Sequence, residues 1–227
     1  MELLNKENHQ YFKSELYSEF ARIGHTLAHP KRLELLDLLA QCESSVEALA
    51  NGLGLSIAST SQHLQILKTA KMVNTRRKGT YVFYRLGSDA VYQLVASLRT
   101  LAHQRLSEVE VVLERHLGQR EFREDLAITE LLQLVKEEKV SLIDVRPEAE
   151  FKAGHLPGAK SIPIEQLEQN LKQLPKNREV VAYCRGRYCI FADEAVVLLK
   201  NKGYKAWRLA QSPMDWHLAG FLIERAA

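Results

Sequence analysis

Apolar positions recur at helical spacing through most of the first 117 residues. From residue 128 onward they gather into short runs separated by helical stretches. Phe20, Ile23 and Leu27 mark one helix, and Leu33, Leu35, Leu36, Leu38 and Leu39 a second, with Pro30 placed to open the second at its first turn. In ESSVEALANGLGLS, Ser45 is a cap for a short helix carrying Val46, Leu49 and Ala50, and Gly52 and Gly54 end it in a tight turn. Ser56 caps the next helix, SIASTSQHLQILKTA, whose inward stripe is Thr60, Leu64 and Leu67. A short helix, a glycine turn and a second helix make a helix-turn-helix. After Met72 the period becomes two. VNTRRKGTYVFYRL breaks at Lys78-Gly79, which predicts a β-hairpin wing. Val91, Leu94, Val95, Leu98, Leu101, Leu106, Val109, Val112 and Leu113 then predict one long helix from Ser88 to Leu117.

A polar stretch, 118–127, reads as a linker. Beyond it ITELLQLVKEEKVSLIDVR predicts a helix capped by Thr129, a turn, and a buried strand with Val140, Leu142, Ile143 and Val145. Gly154, Pro157, Gly158 and Pro163 punctuate a loop. NREVVAYC is a buried strand, FADEAVVLLKNKGY an amphipathic helix, and YKAWRL a further strand. Alternating strands and helices imply a parallel sheet with helices on its faces. The expected fold is therefore two domains: a mainly-α winged helix-turn-helix at 1–117, and an α/β domain with a parallel central sheet at 128–227.

Composition adds little to this and excludes several classes. A hydrophobic fraction of 46% and a charged fraction of 26% fit an ordinary globular protein. No apolar run is long enough to span a bilayer, and the first residues carry both charge signs with no apolar core of a signal peptide. Three cysteines do not make a disulfide scaffold, and Cys42, at a helix end, reads as a small apolar residue. A cytoplasmic location and no membrane partner are expected.

Charge is uneven. Residues 1–120 hold the whole net charge of +3, and Ser56 to Arg85 contains six basic residues and no acid. Such a stretch is either a solvated face or a surface that meets phosphates. The helix from Ser56 favours the second reading. Its outward side offers Ala58, Ser61, Gln62 and Gln65 with His63 alongside, small and amide side chains suited to base edges in the major groove. Arg76, Arg77 and Lys78 crowd the wing, where they are placed to reach the DNA backbone. The long helix needs a partner for its apolar side, and a two-fold homodimer is the simplest.

In the second half, chemistry concentrates between Tyr183 and Ile190. Cys184 directly follows a buried strand and precedes a helix, so it sits at the carboxyl edge of the sheet, where open α/β folds place their sites. A helix N-terminus and a ring of backbone N–H groups lower a thiol pKa, and Arg185 and Arg187 add positive charge. Cys184 is expected to be the more reactive of the two loop cysteines. Phosphatases of similar architecture need an Arg six residues after the nucleophile, and Ile190 stands there, without the donors that clamp a phosphate.

Two family resemblances follow. HPKRLELLDLLA, SVEALANGLGLSIASTSQHLQILKTAKMV and RRKGTYVFYRL resemble the ArsR family of bacterial transcription regulators, which implies a dimeric repressor of double-stranded operator DNA. The family's thiolate site is replaced by Ser45-Val46-Glu47. At its other metal site, Asp89 is followed by Val91, Ala102 and Arg105, so no metal is expected, and no cofactor. LIDVRPEAEFKAGHLPGAKSIP, YCRGRYC and the segment around Trp207 and Trp216 resemble a single-domain rhodanese. That likeness implies that Cys184 takes up sulfane sulfur as a persulfide from a small donor such as thiosulfate or polysulfide. It further implies that the backbone amides of Arg185, Gly186, Arg187, Tyr188 and Cys189 cradle the persulfide, and that Asp144 and Arg146 brace the loop. Two departures stand out. Cys189 replaces a common Arg, either as a redox partner of Cys184 or as a space-filling residue with an independent role; the latter is expected, since a wide loop holds its ends apart. Gln211 and Ser212 replace paired glycines. The combined expectation is a repressor whose rhodanese domain senses or transfers sulfane sulfur; the alternative is a sulfurtransferase whose DNA-binding part autoregulates its operon.

Overall fold

The computed structural model describes residues 6–118 and 127–226, with side chains from residue 8. The linker expected at 118–127 therefore lies outside the described residues except for its two ends. The chain forms two compact units, one ending at Ala96 and one starting at Ser97.

The first unit opens with α1 (Lys6–Leu27) and α2 (Pro30–Leu39). Pro30 occupies the first turn of α2 as its fixed φ favours, and the His29 ring caps it, Nδ1 accepting from the Lys31 N–H at 3.1 Å. After β1 (Ser44–Ser45) come α3 (Val46–Leu53) and α4 (Ile57–Thr69). Ser45 and Ser56 cap them as predicted, accepting from Ala48 N–H and Ser59 N–H. The turn between them belongs to Gly54, left-handed at φ 62°. Gly52, in contrast to the expectation, lies inside α3. A Cβ there would stand 3.2 Å from Leu38 Cδ1, so this glycine serves the close approach of α3 to α2. Leu35, Leu49, Leu64 and Leu67 are buried in one core with Met72, Tyr84 and Val95. Truncating any such leucine to Ala costs about 2–5 kcal/mol.

The wing is β2 (Val73–Lys78) against β3 (Tyr81–Leu86), antiparallel, with β1 on the far side of β3. Lys78 pairs with Tyr81, so the turn is Gly79-Thr80, one residue beyond the expected break, with Gly79 at φ 60°.

The long helix predicted from Ser88 to Leu117 is two, α5 (Asp89–Arg105) and α6 (Ser107–Leu117), separated at Leu106 in extended backbone. Local charge favours the break. His103 and Arg105 sit in the last turn of α5, and Glu108 and Glu110 in the first turn of α6, each set complementing its helix dipole.

The second unit continues with α7 (Ile128–Lys136), β4 (Val140–Asp144), α8 (Glu148–Ala153), β5 (Lys160–Ser161), α9 (Leu167–Asn170), β6 (Glu179–Tyr183), α10 (Phe191–Asn201), β7 (Ala206–Arg208) and α11 (Pro213–Leu218). Thr129 falls within α7, whose cap position is Ala127. The sheet is parallel throughout, in the order β5-β4-β6-β7. β4 is buried along its length and β6 from Val180 on, which explains their nearly continuous apolar runs. Ile143, Val180, Ala182, Ala195 and Leu199 fill one face of the sheet; Leu142, Val181, Tyr183, Trp207 and Trp216 fill the other. The fold is thus a winged helix-turn-helix followed by an α/β unit on a four-stranded parallel sheet. No helix among the described residues is long and apolar enough to cross a membrane.

Candidate functional site

Two sites emerge, one in each unit. In the first, α4 buries Thr60, Leu64 and Leu67 and presents Ala58, Gln62 and Gln65 to solvent, with Ser61 half-buried. Not every candidate there is turned outward. The His63 ring lies 4.4 Å from the His29 ring, and its Nδ1 is buried. Burial first, then the charges of His29 and Arg32, lowers its pKa and favours the neutral ring. Gln65 Nε2 donates to Tyr84 Oη at 3.3 Å, tying α4 to the wing. In the wing, Arg76 is engaged by Glu43 through Nε and Nη2 and lies over the Phe83 ring. Glu43, outside the predicted set, is a residue that sequence reading missed; it lies 33 positions away, and only the pairing of β1 with β3 brings it to the wing.

This geometry divides the wing cations. Arg77 and Lys78 are exposed, whereas Arg76 must leave Glu43 to meet a phosphate. Replacing Arg77 and Lys78 by Ala is expected to lower the slope of log K against log salt by about 2, near 0.9 per phosphate contact. Adding Arg76→Ala should lower it by less than one further contact. Anisotropy titrations across salt check this, and an unchanged slope in the double variant removes the wing from the DNA surface.

In the second unit, β6 ends at Tyr183 and delivers Cys184, 0% exposed, beneath the loop 184–190. The Cys184 thiol donates to the Cys189 carbonyl at 3.5 Å and lies 4.0 Å from the Gly186 carbonyl. Gly186 adopts φ 109°, where a side chain is strained, and Cys189 N–H closes the turn onto its carbonyl at 3.1 Å. Arg187 and Tyr188 form the exposed tip of the loop, and Cys189 is half-buried.

The loop is held from three sides. Arg208 of β7, 2% exposed, donates Nη2 to the Gly186 carbonyl at 2.7 Å and the Arg187 carbonyl at 2.9 Å, while its Nη1 meets Asp193 of α10. Arg185 is bidentate to Glu150 of α8, at 2.5 Å for Nη2, and stacks over Phe191. Ser212 caps α11 in a reciprocal box with Asp215, and Gly186 lies against both. The departure at Ser212 is thereby explained, since its hydroxyl starts the helix that backs the loop. Asp144 and Arg146 form a fully buried pair at 2.6 Å, and Arg146 also donates to the Gly154 carbonyl at 2.7 Å. These bonds brace the turn after α8. Toward the loop, Arg146 meets the Tyr183 ring beside Cys184. Direct clamping of the loop falls to Arg208 and Glu150, which the sequence reading did not single out. A charged residue inside the apolar strand YKAWRL was the available signal for Arg208.

The electrostatics of the two thiols reverse the sequence expectation. Burial pushes the Cys184 thiol well up, and the interaction with Cys189 adds to it; the Arg208 charge and the Ala192 N–H act weakly against. Cys189 is lowered to about 7, first by the neighbouring Cys184 thiol, against the cost of burial, then by the N–H groups of Arg185 and Phe191 and the Arg185 charge. Of the amides expected around Cys184, that of Arg185 acts on Cys189 instead. Alkylation of Cys189 by iodoacetamide should therefore rise with pH, level off above about 7 and fall about tenfold per unit below it. A midpoint near 8.5, the value of a free cysteine, would contradict this placement.

Comparison with known proteins agrees with both halves. The bacterial regulatory protein arsR family matches residues 29–75, and the rhodanese-like domain matches residues 127–219. The HTH-type transcriptional regulator Rv0324 of Mycobacterium tuberculosis is 40% identical over 215 residues, covering 95% of this chain and 94% of the relative. The nodulation protein NolR of Rhizobium meliloti is 43% identical over 72 residues, 32% of this chain and 59% of the relative. Among solved structures, the homodimeric winged helix-turn-helix DNA-binding domain of Mb0332 from Mycobacterium bovis is 37% identical, covers 47% of this chain and 94% of its own, and superposes with a TM-score of 0.42. With a family match in the helix-turn-helix and a relative aligned along nearly its whole length, this chain belongs to the ArsR family of bacterial transcription regulators, in a form that carries a rhodanese-like domain behind its winged helix.

Proposed function

We propose that this regulator is a repressor dimer whose rhodanese-like domain takes sulfane sulfur onto Cys184 and thereby adjusts operator binding. Residues 1–117 supply DNA binding and dimerisation, and 128–227 handle sulfur. The observation that carries the reading is the buried Cys184 at the carboxyl edge of the parallel sheet, under a loop clamped by Arg208 and Arg185, in one chain with a basic helix-turn-helix. The α4 face from Ser56 through Ala58, Ser61 and Gln62 is assigned to base edges, with His63 half-buried behind it and exposed Gln65 tied to Tyr84, and Arg77 and Lys78 to phosphates.

Dimerisation is supported by apolar side chains that a monomer leaves in water. Tyr11, Phe12, Tyr17 and Phe20 on α1 are 57–67% exposed, and Leu94, Leu98 and Leu101 on α5 are also exposed. Such a concentration marks a protein-protein surface.

Titrating operator DNA with the full chain, with and without thiosulfate or polysulfide, tests the proposal. A sulfane donor is expected to change operator affinity at least tenfold, about 1.4 kcal/mol, and Cys184→Ser to remove the response. Fast sulfur transfer with unchanged affinity would overturn the sensing role and leave a sulfurtransferase that autoregulates its own operon.

A further inference from the structure

The second loop cysteine gives the site a reaction that a single thiol cannot perform. The Cys184 sulfur lies 3.5 Å from the Cys189 carbonyl, to which its thiol donates, so the first thiol meets the backbone of the second cysteine. Both side chains pack in one apolar cluster. The segment between them is closed by the Cys189 N–H to Gly186 bond and fastened by Arg208 at the Gly186 and Arg187 carbonyls and by Glu150 at Arg185. This loop is tightly folded, not wide, and it folds the Cys189 backbone back onto the Cys184 sulfur. Cys189 also differs in exposure. It is half-buried, while Cys184 is fully buried, so a group leaving from the pair has a way out on the Cys189 side.

We propose that Cys184 and Cys189 act as a dithiol that reduces sulfane sulfur to hydrosulfide, with Cys189 as the resolving nucleophile. The proposal rests on the Cys184 persulfide put forward above. In the first step the one proton of the singly deprotonated pair resides on the Cys189 sulfur. The Cys184 thiolate attacks the outer sulfur of thiosulfate, a sulfur–sulfur bond forms at Cys184, and the bond within thiosulfate breaks with its electron pair leaving on sulfite. In the second step the proton passes from Cys189 to the outer persulfide sulfur. The Cys189 thiolate attacks Cys184 Sγ, the persulfide bond breaks, and hydrosulfide leaves with the pair. The outer sulfur is reduced and the cysteines are oxidised to a disulfide. A singly deprotonated dithiol and thiosulfate thus give a disulfide, sulfite and hydrosulfide. The thiols themselves are the reductant, so one turnover needs no other. The amides of Arg185 and Phe191, which face the Cys189 sulfur, keep its thiolate available for the second step.

The test uses the full reduced chain without oxygen and one equivalent of thiosulfate. Wild type is expected to release sulfite and hydrosulfide in equal amounts, to lose both loop thiols, and to yield a Cys184–Cys189 crosslinked peptide that reductant opens. In Cys189→Ser and Cys189→Ala, sulfur taken up should stay on Cys184 as a mass gain of one sulfur atom, with the hydrosulfide burst lost. A wild-type chain that keeps a stable persulfide without a crosslink, or variants that release as much hydrosulfide as wild type, would overturn the proposal. Sulfite is released in the first step alone. Its absence from wild type would remove the persulfide reading, and this inference with it, whereas sulfite without a crosslink would remove the inference only. The crosslink is read on wild type, so the outcome does not hang on how the variants fold.

Discussion

Cys184→Ser is expected to abolish sulfur transfer from thiosulfate while leaving the fold in place. A serine hydroxyl is a poor nucleophile at neutral pH and cannot hold sulfane sulfur. Its O–H can still donate to the Cys189 carbonyl that the thiol meets at 3.5 Å, and the volume change is small, so stability should move by no more than about 1 kcal/mol. Two measurements separate the roles. Sulfite release should vanish, and the affinity for operator DNA without donor should match wild type. Residual sulfite release in Cys184→Ser would pass the role of first nucleophile to Cys189, whose lower pKa and greater exposure make it the other candidate.

Arg208→Met should have the largest effect on stability. It takes the guanidinium away from the Gly186 and Arg187 carbonyls and from Asp193, and leaves an apolar chain in its place. Breaking a buried pair by removing one partner costs about 3–5 kcal/mol, a large part of the roughly 5–15 kcal/mol of a typical domain. For a unit of this size, a fall in Tm on the order of 20 °C follows. Arg208 touches no reacting atom in the proposed chemistry; it is a positioning residue. A purely structural role would lower Tm and leave the Cys189 titration of the remaining folded fraction unchanged. A positioning role shifts that midpoint upward, because the turn that aims the Arg185 and Phe191 amides loosens. Arg208→Lys should recover part of the Tm and little of the midpoint, since one ammonium lacks the planar fork that meets two carbonyls and a carboxylate together. A Tm within a few degrees of wild type in Arg208→Met would refute the clamp.

The charge on the loop shows where sequence reasoning stops. A thiol after a buried strand and before a helix is legible from the order of residues alone, and so is the presence of a second thiol five positions on. Which of them is lowered depends first on how deeply each is buried and on their mutual interaction, then on where nearby peptide groups lie. The loop that places them is held by Arg208 and Glu150, 21 to 35 residues away from their loop partners in sequence. The wing behaves in the same way. Its three cations are evident in RRK, but the pairing of Arg76 with Glu43 follows from a two-residue strand at Ser44–Ser45 whose pattern carries no period.

By itself, then, the sequence determined the elements and their order. Capping serines at 45 and 56, Pro30 at a helix start, a period change after Met72 and the apolar runs of β4 and β6 are local signals, and local backbone preferences and burial act on them directly. It also determined which residues bear chemistry, because nucleophile, cations and amide side chains are properties of single positions. Only the tertiary structure decided the break at Leu106, the burial of Arg208, the engagement of His63, Gln65 and Arg76 within the first unit, and the placing of the lowered thiol at Cys189. Each of these depends on contacts between segments distant in the chain or on competition between burial and hydrogen bonding. Such energies exist only once the sheet and helices have packed.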